Sequence, residues 1–268
     1  MGSLVRHGWY PAVTDHPVLI PTSIGPIGGM ISDPGQARAA AILVAGVGGR
    51  RFGVNRLWTS MAWDLADRGY VVLRLDYPGG QGDSRLATRD GTPKPFREVL
   101  AWFRKGSADL PLVLLGSCYG ARLVASVGSV EDNLLGIGLI TPTFVRWKKA
   151  GALAGEEESL GSKVRRKARK KIGRVAPLSL DPRVVNAVSQ ALQRTSVWAM
   201  VGEKDHRSRT DLSRLQATLR KEDFDGMEIE EIPGIILHTQ PSQEGQKTTR
   251  DRVGAWAGRL LDREVVRS

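Results

Sequence analysis

Six short runs rich in Val, Ile, Leu and Ala recur along the chain, with stretches of helical period between them: Ala40–Ala45, Tyr70–Leu75, Leu112–Leu115, Leu134–Ile140, Val197–Val201 and Met227–Ile232. Most are apolar nearly throughout, which suits strands covered on both faces, as in a parallel sheet between helices. The intervening segments carry the matching stripes. Trp58, Met61, Ala62, Leu65 and Ala66 repeat at i, i+3, i+4, i+7 and i+8, as do Val253, Trp256, Ala257, Leu260 and Leu261 near the end. Phe96, Val99, Leu100 and Phe103 do the same behind Pro93 and Pro95. The expected fold class is α/β, a mostly parallel central sheet flanked by helices. VLIPTS and PIGGMIS, close together near the N-terminus, suit an antiparallel edge hairpin.

At 268 residues with 41% hydrophobic content, the chain can bury a real core as a single domain, residues 1–268. With 25% charged residues, no apolar run approaches the roughly 18 to 20 residues needed to span a bilayer. The opening MGSLVRHGWYPAVTD lacks the apolar segment of about 7 to 15 residues found in a secretory signal, so the expectation is a cytoplasmic protein. One cysteine rules out an intrachain disulfide framework and a Cys-rich zinc site, and no metal-ligand cluster or phosphate loop implies a cofactor.

The net charge of +11 invites a nucleic-acid reading. The distribution argues against it. Between Arg146 and Arg174, eleven Lys or Arg stand against three Glu, a local excess of eight, and no RNA-binding or helix-turn-helix pattern accompanies them. This stretch falls where the α/β alternation is interrupted, between Pro142 and Pro182, and residues 142–182 read as an inserted lid. Its Lys163, Arg165, Arg166, Lys167, Arg169, Lys170 and Lys171 form either a solvated face or a surface attractive to an anionic acyl donor or an acidic acyl-carrier protein.

The strongest local signal is Leu112–Leu115 followed by Gly116-Ser117-Cys118-Tyr119-Gly120 and a helical stretch. Strand, tight turn and helix around G-x-Nu-x-G describe a nucleophile elbow, in which the central residue takes a strained conformation and glycines two places either side avoid collisions. Cys118 has that spacing; Ser117 carries a hydroxyl but lacks both glycines. A thiol at the start of a helix feels the positive end of the dipole, which favours thiolate. The base must come from His7, His16, His206 or His238. His238 lies in the loop after the last expected strand, where it can reach the elbow; His206 competes. Asp205, just past Val197–Val201, is placed to orient the base, with Asp211 and Glu203 as weaker rivals. Developing negative charge on a substrate oxygen needs donors. Tyr119 N–H is one, and the glycine-rich loop AGVGGRRFG after Ala40–Ala45 offers Val47 N–H as the other.

With these residues assembled, the sequence resembles the α/β-hydrolase family over nearly its whole length. Asp76 through Gly82 to Ser84 looks like the family's D-x-x-G-x-G-x-S stretch with one extra residue. The IGG, RRFGVNR and GSCYGA segments are similar to small bacterial hydrolases of the serine-aminopeptidase-like branch, including those that accompany exosortase systems. Most of the family has Ser at the elbow; Cys is similar to dienelactone hydrolases and to polyhydroxyalkanoate synthases, which use it for acyl transfer. Ala45 stands where many relatives carry His. The resemblance implies an ester or thioester hydrolase or acyltransferase with a Cys118–His238–Asp205 triad. The competing expectation is a hydrolase-like scaffold that binds a ligand or partner without turnover.

Overall fold

The computed structural model describes residues 5–7, 10–46, 49–76, 93–144, 180–237 and 242–267. Nine strands among them form one sheet: β1 (Val5–His7), β2 (Tyr10–Ile20), β3 (Ile27–Asp33), β4 (Ala39–Val44), β5 (Tyr70–Leu75), β6 (Leu112–Ser117), β7 (Leu134–Ile140), β8 (Ser196–Gly202) and β9 (Glu228–Ile232), in the order β1-β2-β3-β5-β4-β6-β7-β8-β9. From β5 to β9 all neighbours pair in parallel, and β1, β2 and β3 add an antiparallel edge. All six expected strands are present, two with the expected ends and four with an end shifted by one or two residues. The edge hairpin is also present, but its first strand begins at Tyr10 rather than near Val18.

Six described helices cover the sheet: α1 (Leu57–Asp67), α2 (Pro93–Arg104), α3 (Tyr119–Gly128), α4 (Pro182–Leu192), α5 (His206–Lys221) and α6 (Gln243–Arg267). The period-2 alternation of strand side chains divides the core. Ala40, Ile42 and Val44 of β4 join one cluster, with α2 to α5; Ala39, Ala41 and Leu43 join the other, with α1 and α6. The stripes of α1 and α6 are buried, each large aliphatic contributing about 1.5 to 3 kcal/mol. Trp256 of α6 stacks on Trp198 of β8 with ring centroids 5.3 Å apart.

Arg74 is the charged exception inside an apolar strand. It is 3% exposed and donates to Asp15 of β2 (2.7 Å) and to Thr59 of α1 (2.6 Å), tying the antiparallel edge to the parallel sheet and its helix. Burial pushes the Asp15 carboxyl up, but the charge of Arg74 and the hydrogen bonds from Ser32, Arg74 and Trp63 hold it below the ordinary carboxylate range.

Candidate active site

β6 ends at Ser117 and α3 begins at Tyr119, so Cys118 makes the strand-to-helix turn by itself. Its φ of 51° and ψ of −116° lie in a region that costs a residue with a Cβ on the order of 1–3 kcal/mol. Neighbouring backbone holds it there. Cys118 N–H donates to the Ile140 carbonyl at the end of β7 (3.0 Å), and the Cys118 carbonyl accepts from Thr143 N–H (3.3 Å). The flanking glycines are required by space. A Cβ on Gly116 would lie 2.5 Å from the Gly120 carbonyl, and one on Gly120 would meet the Val44 carbonyl oxygen and lie 2.5 Å from that of Ala45.

The chain turns one way from β4 to β5 and then returns to place β6 on the other side of β4. Ligands of open α/β sheets bind in the crevice beyond such a reversal, at the carboxyl ends of the strands. Both loops leaving this crevice meet at the thiol. A Cβ added to Gly46, just past β4, would lie 3.0 Å from Cys118 Cβ and 3.5 Å from Sγ, so main chain stands directly beside the sulfur. Tyr119 is the first residue of α3, at the end where N–H groups point out of a helix. Val47 lies outside the described residues.

The acid side is equally tight. Asp205 is buried, and its Oδ2 accepts N–H groups from Gly202 (3.1 Å) and Leu237 (2.8 Å). Glu203 N–H donates to the Ile232 carbonyl (2.9 Å), Lys204 N–H to that of Ile235 (3.1 Å), and the Glu203 carboxylate accepts Gly234 N–H (2.6 Å). The loops after β8 and β9 are thus zipped together up to residue 237. His238 lies outside the described residues. His206 is exposed at the start of α5. Asp211 is buried, and its carboxylate accepts Phe144 N–H (2.9 Å), a bond that ties α5 to the exit from β7.

No family model matches the sequence, and no curated protein sequence matches it. Solved structures match by shape. An esterase from Pyrococcus furiosus superposes with a TM-score of 0.66 at 18% identity over 96% of this chain and 98% of that one. A putative dienelactone hydrolase from Klebsiella pneumoniae gives 0.62 at 17% identity over 92% and 98%, and an esterase from Pyrobaculum calidifontis gives 0.60 at 17% over 92% and 85%. The fold is that of the α/β-hydrolases.

On this α/β-hydrolase scaffold, Thr143 is a neighbour of the thiol that sequence reading did not single out. It is buried, with Oγ1 3.8 Å from Cys118 Sγ. Its place depends on the exit from β7, where Thr141 takes a φ of 43° and donates its N–H to the Met200 carbonyl (2.7 Å). The described ends of the 142–182 stretch are drawn together at the same place, since Asp181 N–H donates to the Phe144 carbonyl (3.0 Å). Asp181 is fully buried and paired with Arg122 of α3 at 2.5 Å; the Arg122 guanidinium also lies 4.9 Å from the centre of the Tyr119 ring. Residues 145–179, with the basic run, lie outside the described residues. Among the described residues no helix is long and apolar enough to cross a membrane.

Proposed function

We propose that this protein is an ester or thioester hydrolase or acyltransferase in which Cys118 is the nucleophile, His238 the base, Asp205 the acid that orients it, and the N–H groups of Val47 and Tyr119 the oxyanion donors. The observation that carries this reading is the strained Cys118 turn at the sheet's reversal point, with Gly46 main chain against its sulfur. Backbone strain of this kind clusters at active sites, where it presents a side chain to the reacting group. The α/β-hydrolase fold and the esterase and dienelactone hydrolase neighbours support the same substrate class.

In this mechanism His238 takes the thiol proton as sulfur bonds to the carbonyl carbon, and the carbonyl π pair moves onto oxygen, where the two N–H groups hold it. Collapse expels the alcohol or thiol, which leaves with the proton from His238, and the acyl group remains on sulfur as a thioester. Water, or a second alcohol or amine, then gives its proton to His238 and attacks the acyl carbon. Sulfur departs and recovers that proton. The chemistry requires no cofactor. Attraction of an anionic acyl donor or an acidic carrier protein to Lys163–Lys171 rests on charge alone.

Intact-mass analysis after mixing with small esters and thioesters tests the reading. The expected result is an acyl adduct in wild type that disappears in Cys118→Ala and persists in Ser117→Ala. Adding alcohols or amines then separates hydrolysis from transfer. No adduct and no turnover across the panel, with Cys118 no more reactive than in denatured protein, would favour the non-catalytic scaffold.

A further inference from the structure

The RRFGVNR stretch after β4 takes no part in the mechanism above, yet it borders a cavity of about 330 Å³. Arg51, Phe52 and Arg56 line it together with Trp63 of α1, Arg74 of β5 and Asp15 of β2. The volume falls at the lower end of the range of about 300 to 1,000 Å³ seen for small-molecule sites.

The charges do not balance. Asp15 is engaged by Arg74 (2.7 Å), Ser32 (2.5 Å) and Trp63 (3.2 Å), and Asp76 by Arg51 (2.5 Å). Arg56 is exposed, lies 5.9 Å from the centre of the Trp63 ring, and has no carboxylate partner among the described residues. Among the described residues, three guanidiniums of the lining thus stand against the carboxylate of Asp15 and that of Asp76, the partner of Arg51. Arg74, 97% buried by its 3% exposure, uses its terminal nitrogens on Thr59 and Asp15, while its Nε–H is buried with no hydrogen-bond partner. A buried donor left unpaired is unfavourable, and it leaves the Arg74 charge less well compensated. Burial and then the positive fields of Arg51 and Arg56 also oppose the charge on Arg74, against the favourable field and hydrogen bond of Asp15. An anion in the cavity would offset these positive fields. Apolar side chains line the cavity as well: Met30, Trp63 and Phe52, the last 44% exposed.

We propose that this cavity is a binding site for a small organic anion, a carboxylate or phosphate monoester whose oxygens are held by Arg56 within the positive field of Arg51 and Arg74 and whose apolar body lies against Phe52 and Trp63. Guanidinium groups match the geometry of both head groups, and the charge-assisted bonds they make are the stronger kind. The site is independent of the proposed acyl-transfer chemistry.

Calorimetric titration of the full chain with benzoate, phenyl phosphate, inorganic phosphate and benzyl alcohol tests it. At least one organic anion should bind saturably, and the tighter one names the head group. Benzyl alcohol should not bind. Arg56→Gln, an exposed position that should leave the melting temperature unchanged, should weaken that anion about tenfold. Phe52→Ala should weaken it about fivefold while leaving inorganic phosphate unaffected. No saturable binding, equal binding to wild type and Arg56→Gln, or inorganic phosphate binding as tightly as both organic anions would overturn the proposal.

Discussion

Asp205 Oδ2 accepts the backbone N–H of Leu237 at 2.8 Å, so the carboxylate proposed to orient the base grips the chain one residue before that base. The same oxygen accepts Gly202 N–H, and a Cβ on Gly202 would lie 2.8 Å from it. The acid therefore serves the architecture of the two loops as well as the proposed chemistry. These two roles separate by substitution. Asp205→Ala leaves two buried N–H groups without their acceptor and should cost about 2 to 4 kcal/mol in urea denaturation. Asp205→Asn keeps an amide oxygen for both bonds and should cost under about 1.5 kcal/mol, yet lower kcat at least about a hundredfold, because a neutral amide does not stabilise an imidazolium. An Asn variant with wild-type turnover would remove Asp205 from the triad.

The elbow glycines make a purely steric prediction. Gly120→Ala drives a methyl into the carbonyls that end β4, and rigid backbone cannot swing away as a side chain can. The expected loss is about 3 kcal/mol or more. Gly106→Ala is the control, since its nearest contact would be the Phe103 carbonyl at 3.9 Å, and its stability should stay within about 0.5 kcal/mol of wild type. Denaturation midpoints that ranked the two variants equally would contradict the close approach of α3 to β4.

The buried Asp181–Arg122 ion pair predicts a pH dependence. Burial raises the Asp181 carboxyl, but the hydrogen bonds from Arg183 and the charges of Arg122 and Arg183 outweigh it and hold the group below its ordinary value. A lowered folded pKa means that the contribution is complete above the unfolded carboxylate value, near about 4, and is lost as pH falls through the folded one. Arg122→Met should therefore cost about 2 to 4 kcal/mol at pH 7, moderated because Arg183 still donates to Asp181. The gap between variant and wild type should narrow below pH ~4 as Asp181 protonates in both. A gap independent of pH would mean that packing of the Arg122 stem, rather than its charge, holds the pair's share of stability.

Thr143 supplies the fourth prediction. With its hydroxyl 3.8 Å from Cys118 Sγ, it can donate to a thiolate as the negative charge forms. Thr143→Val keeps the branched shape and removes the donor, so iodoacetamide should alkylate Cys118 several-fold more slowly at neutral pH, on the order of a single weak hydrogen bond. Thr143→Ser should restore the wild-type rate. Equal rates in all three proteins would leave Thr143 only its backbone bond to the elbow.

What the sequence determined by itself was local. The elbow is read from five consecutive residues because a strand-to-helix turn closing on itself admits only small neighbours at Gly116 and Gly120. The six strands and the α1 and α6 stripes are read from periodicity because burial on one face acts on residues within a few turns of one another. The position of Asp205 past β8 was legible for the same reason. What tertiary structure alone decided lies between residues far apart in the chain: Gly46 against Cys118, Thr143 against the same sulfur, Leu237 on Asp205, Arg122 on Asp181, and Arg74 on Asp15 across 59 positions. Arg74 shows the reason most clearly. In sequence it is a lone charge inside an apolar strand, and the carboxylate two residues on, Asp76, pairs with Arg51 instead. It is tolerable there only because the sheet order sets β3 between β5 and β2 and lays α1 across them, bringing a carboxylate and a hydroxyl to a guanidinium that would otherwise be too costly to bury.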